Sequence, residues 1–143
     1  MFSPSANDVR DFFVDARRKR GEGLPLTPLE TIAADWVEAH PEYAADLADA
    51  EAARAAVYPA DTGRENPFLH LSMHLSISEQ IAIDQPAGIR PAFASLVARL
   101  GSAHAAQHEV MECLGTMLWE AQRNGRAPDG AAYVDCVRRR ATR

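Results

Sequence analysis

The residues best suited to chemistry are two histidine pairs, His70 with His74 and His104 with His108, and Glu112, four residues beyond the second pair. Side chains four apart on an α-helix sit about 5–6 Å apart at Cβ, so each pair can aim two imidazoles at one point. Random placement of five histidines would give two such pairs at a frequency on the order of one per cent, which makes chance a poor explanation. Neutral imidazole is the commonest protein ligand for transition metals, and two facing helices would supply two from each side. The expected cofactor is a transition metal ion, zinc or iron.

Four imidazoles would suit a tetrahedral ion, whereas adding Glu112 would favour five or six ligands and thus iron, manganese, nickel or an open zinc. Glu79, five residues past His74, is the further ligand candidate on the first helix. Glu109 is rotated by about 100° from His108 and suits an outer role. His40 and Glu30 could close the site from another helix. The His108-Glu109-Val110-Met111-Glu112 run lacks the HExxH of zinc proteases, and no pair of Glu-x-x-His motifs points to a di-iron centre. The plainer alternative makes these histidines hydrogen-bonded groups at helix starts.

The elements that must hold these residues are all helical, and the expected fold is a compact single-domain bundle of about five to seven helices over residues 1–143. Ser5 with Asp8 and Thr27-Pro28-Leu29-Glu30 are helix entry signals. Pro41 should stop the second helix at His40 and open a third that runs through Tyr43 and Leu47 to Val57. Tyr58-Pro59 and Asp61–Arg64 read as a loop, and Asn66-Pro67 starts the helix bearing His70 and His74. That helix should end near Asp84, followed by helices over Pro91–Leu100, Ser102–Gln122 and from Asp129 onward. In the turn after it, a staple by Asp84 and Arg90 is favoured over an anion site. Leu29, Trp36, Leu118 and Trp119 are expected inside.

The 143 residues are 47% hydrophobic and 24% charged, the balance of a globular chain, and the formal charge of −5 gives no reason to expect nucleic acid. The basic runs Arg17–Arg20 and Arg138–Arg140 are expected at helix C-termini, where cations offset the macrodipole. Cys113 and Cys136 lack CxxC spacing, so unpaired thiols in a reducing cytoplasm are expected, with Cys113 in the core. Neither an apolar leader nor a membrane span is read, and the partner expected is a metal ion, with a homo-oligomer left open.

The stretches Pro25-Leu26-Thr27-Pro28-Leu29-Glu30, His40-Pro41-Glu42-Tyr43, Asn66-Pro67-Phe68-Leu69-His70-Leu71-Ser72-Met73-His74, Ile83-Asp84-Gln85-Pro86-Ala87-Gly88-Ile89-Arg90 and Met111-Glu112-Cys113-Leu114-Gly115, with the opening Met1–Ser5, are similar to a bacterial family catalogued as domain of unknown function 1841. The resemblance implies a small bacterial protein and brings no activity. The functional expectation is therefore a metal-binding helical protein whose ion, if a ligand position is open, could support hydrolytic or redox chemistry. A closed shell would instead suit a metal sensor or carrier. A non-catalytic interaction or regulatory protein with structural histidines is the alternative.

Overall fold

A computed structural model describes residues 5–59 and 65–142. The expected opening residues 1–4 and the Asp61–Arg64 part of the expected loop lie outside them. Among the described residues there are seven α-helices and no strand, so the all-α expectation holds: α1 Ala6–Gly21, α2 Pro28–Glu38, α3 Ala50–Ala55, α4 Pro67–Ile83, α5 Ile89–Leu100, α6 Ala103–Asn124 and α7 Gly130–Ala141. No helix among these residues is long and apolar enough to cross a membrane. By its contacts the chain divides into two compact units, Met1–Leu75 and Ser76–Arg143.

In the first unit, α1 packs on α2 and α3. Both α1 and α2 begin with reciprocal capping boxes. The Asp8 N–H donates to Ser5 Oγ while Asp8 accepts from the Ser5 N–H, and Thr27 and Glu30 repeat the exchange. Each box satisfies two backbone donors that a helix start leaves without partners. Phe13, Val14 and Ala16 of α1 meet Ala33, Ala34 and Val37 of α2, and Tyr43, Leu47, Phe68 and Leu71 complete the core. Leu29, expected inward, is exposed in the first turn of α2, one turn before the buried Ala33.

The third helix is not the long one expected from Pro41. A 3-10 turn spans Pro41–Tyr43, and α3 begins afresh at Ala50. Asp49 is the cause: its carboxylate accepts from the Ala52 N–H, a capping geometry that needs the extended backbone observed there, φ −138° and ψ 126°, and so cannot lie inside a continuing helix.

In the second unit, α5, α6 and α7 pack pairwise and bury Ile89, Leu96, Val110, Leu114, Tyr133, Val134 and Val137. Gly101 and Gly125 close α5 and α6 with φ of 75° and 63°, a left-handed conformation that glycine adopts without strain. After α4, the Asp84 carboxylate accepts from the N–H groups of Gly88 and Arg90, and the Arg90 guanidinium donates to the carbonyls of Ile81 and Ala82. The turn is thus stapled, with Asp84 and Arg90 each working on backbone groups.

Two expectations about the second unit are corrected. Cys113 and Cys136 form a disulfide, with Cα atoms 5.9 Å apart, because α6 and α7 pack together across the short connection between them. Unpaired thiols, the ground for expecting a reducing compartment, are therefore not what the fold presents. Trp119 and Leu118 are half exposed on α6, and the Arg123 guanidinium covers the Trp119 ring, 5.1 Å from its centroid.

The capping boxes make a stability prediction. The Lys19 ammonium, 2.7 Å from Glu30, and the Thr27 N–H hold the Glu30 carboxyl below its usual range. A carboxyl whose folded pKa is depressed stabilises the fold above its unfolded pKa, and that stabilisation is lost as pH falls through the folded value. Thermal melts across an acid series should show Glu30→Gln less stable than the parent at neutral pH, with the gap closing on acidification. Thr27→Ala should cost about 1 kcal/mol at neutral pH by urea unfolding.

Candidate metal centre

His74 lies in the middle of the stripe that α4 buries, between Leu71 and Ile77, and is itself fully buried. The ring is held flat against Trp36 of α2, with centroids 3.9 Å apart and planes 13° from parallel. His70, one turn earlier, shares its face because Asn66 fixes the start of the helix: the N–H groups of Phe68 and Leu69 donate to Asn66 Oδ1. His40 reaches the same place from the end of α2. Pro41 disfavours helical geometry in the residue before it, and His40 accordingly leaves the helix with φ −126° and ψ 66°. Its ring stacks on Tyr43 with centroids 5.3 Å apart and is 2% exposed.

The three Nε2 atoms converge. His40 and His70 are 3.2 Å apart, His70 and His74 3.2 Å, and His40 and His74 3.3 Å. The outer nitrogens decide what this triangle means. His40 Nδ1 lies 2.7 Å from the Trp36 carbonyl oxygen, and His70 Nδ1 lies 2.9 Å from Glu65 Oε1. A carbonyl and a carboxylate only accept, so each Nδ1 must carry the proton, and in the neutral imidazole Nε2 is then a bare lone pair. His40 and His70 thus aim lone pair at lone pair.

A hydrogen on His74 Nε2 could relieve its contacts with its neighbours, but not the contact between His40 and His70. One cation at the centre satisfies all three edges. Zinc–nitrogen bonds of about 2.0 Å put tetrahedral ligands about 3.3 Å apart, the spacing found here. Ligating histidines also characteristically donate their far N–H to a carbonyl or carboxylate, which fixes the ring and strengthens the donor. His40 and His70 do so. Glu65 is shared further, since the Tyr43 hydroxyl donates to its other oxygen at 3.3 Å, and burial together with this nearby carboxylate raises the Tyr43 pKa and keeps the phenol protonated.

The residues singled out by spacing are thus sorted by the structure. His70 and His74 come together as the four-residue interval requires, and His40, ranked behind the carboxylates in the sequence, completes the triangle. In the second unit His104 and His108 lie edge to face with ring centroids 4.6 Å apart, half-buried and exposed respectively. Glu112 and Glu109 both bind the Arg140 guanidinium, Glu79 is exposed, and Glu30 is committed to its cap and to Lys19. Sequence reasoning missed Glu65. Its only signal was its place beside the Asn66 cap, one turn before His70.

An all-α chain with three histidines converging at Nε2, two of them buried, is the class that fold and site define. The chain belongs to the family described as Domain of unknown function (DUF1841), whose model matches residues 5–139. No curated protein and no solved structure matches it.

The proton positions are directly testable. In metal-free protein above neutral pH, nitrogen-15 NMR should find His40 and His70 in the Nδ1–H form, the minor tautomer of free imidazole. Nε2–H signals from both would remove the inward lone pairs on which the site depends.

Proposed function

We propose that the protein binds a transition metal ion, zinc in preference to iron, through His40, His70 and His74. One observation carries the reading: three Nε2 atoms, those of His40 and His74 on buried rings, lie at tetrahedral-edge spacing, and the acceptors at the far nitrogens of His40 and His70 make two of the three lone-pair donors. Three neutral nitrogen donors suit a borderline ion such as zinc, and the spacing favours four-coordination over six.

The four-residue interval repeated at His104 and His108 nominates that pair for the remaining position. Glu112 and Glu79 are left out of the proposed shell, the first because its carboxylate holds Arg140 and the second because it is exposed. A fourth histidine would close the shell and suit a sensor, carrier or structural site. Water in that position would be acidified by the ion and available for hydrolysis.

Elemental analysis of protein purified without a metal-affinity tag should find close to one metal per chain, mainly zinc. At free zinc about 100 times the dissociation constant, binding to the folded state alone should stabilise it by about 2.7 kcal/mol. His74→Ala should abolish both occupancy and stabilisation, and Glu65→Ala should weaken affinity by about 10–100-fold through loss of the His70 anchor. Protein that is metal-free and gains nothing from zinc or iron would overturn the proposal. Cobalt substitution distinguishes the two shells: His104→Ala with His108→Ala should change the visible spectrum only if that pair supplies a ligand.

A further inference from the structure

Away from the histidines, the second unit has a cavity of about 240 Å³ with the Cys113–Cys136 disulfide in its wall. The two sulfurs are not equally reachable. Cys113 is 1% exposed, whereas Cys136, in the middle of α7, is half-buried. Both cysteines line the cavity, and the more exposed Cys136 is the end that an attacking thiolate meets, with Cys113 the leaving group. The cavity is lined by charges of both signs: Arg126 and Arg139 on one hand, Glu120 and Asp129 on the other. Arg139 is also 3.2 Å from Asp135, and Asp129 caps α7, which leaves Arg126 and Glu120 as the charges best able to meet a ligand.

We propose that this cavity is a thiol-exchange site for a small zwitterionic thiol of tripeptide size, of which glutathione is the test compound. Its volume and mixed charge fit a molecule carrying carboxylates and an ammonium better than an uncharged thiol. In the reaction the incoming thiol loses its proton to solvent, and its sulfur lone pair forms a bond to Cys136 Sγ. The Cys113–Cys136 bond breaks, its electron pair leaves with Cys113 Sγ, and Cys113 takes up a proton. The product is a mixed disulfide at Cys136 and a buried thiol at Cys113, which can reverse the step by attacking Cys136 and expelling the small thiol.

The test is to treat the folded protein with reduced glutathione, quench in acid and map the adduct by mass spectrometry. One glutathione should appear at Cys136 with Cys113 free. Arg126→Ala should slow the reaction roughly tenfold, as expected for loss of one charge-assisted contact, while leaving the rate with uncharged 2-mercaptoethanol unchanged. Any of four results would overturn the proposal: two free thiols in the protein before treatment, glutathione on Cys113, an adduct formed only when the protein is unfolded, or equal effects of Arg126→Ala on both thiols. Reduction by a dithiol protein without any glutathione adduct would also overturn it.

Discussion

A backbone carbonyl and a carboxylate cannot donate a hydrogen, and the character of the histidine centre depends on that constraint. By accepting from His40 Nδ1, the Trp36 carbonyl turns the His40 lone pair inward, and Glu65 does the same for His70. Three imidazoles at mutual distances of 3.2–3.3 Å could otherwise be read as a chain of hydrogen bonds. With the Nδ1 atoms of His40 and His70 carrying the protons, neither ring can donate to the other across their shared edge. An added proton serves one edge of the triangle at a time, whereas a metal ion serves every edge at once. The three-way convergence is thus an arrangement that could hold a metal ion.

Much of the first unit serves to keep these rings where they are. The Thr27–Glu30 box fixes the start of α2, so the far end of the same helix delivers Trp36 against His74 and His40 into the centre. Pro41 fixes the backbone turn at His40, and Tyr43, two residues later, stacks on its ring and hydrogen-bonds Glu65. Asn66 sets the phase of α4 and with it the face shared by His70 and His74. A donor set placed on helix ends and a capped helix needs little rearrangement to meet an ion, because the ordering of its side chains accompanies folding of the core.

The sequence was most informative where a signal is local. Helix starts at Ser5, Thr27, Asn66, Ser102 and Asp129 were legible because each depends on a side chain reaching a backbone group two or three residues away. The His70–His74 pair was legible for the same reason, since the helix converts a four-residue interval into a shared face. Asp49 capped a helix that its alanine-rich surroundings would have let run on, a case of one local signal beating another. His40 lies thirty residues from His70, Glu65 bears no motif, and Cys113 meets Cys136 only once α6 and α7 have packed. Those relations are products of tertiary packing, and spacing along the chain carries little trace of them. Glu112 shows how little an interval says about partners: it stands four residues from His108, and its carboxylate binds the Arg140 guanidinium.

That contrast bears on how such a centre should be recognised. A carboxylate at helical spacing from a histidine is a weak nomination, because arginine competes for it wherever the fold brings one near. A histidine followed by proline at a helix end is a stronger one than its lack of periodic partners suggests, since proline forces the backbone out of the helix and turns the ring away from the helical face. At His40 that departure, together with the Trp36 carbonyl four residues back, fixes both the position of the ring and its tautomer. The donor contributed by a break in regular structure is thereby as well defined as the two contributed by a helix.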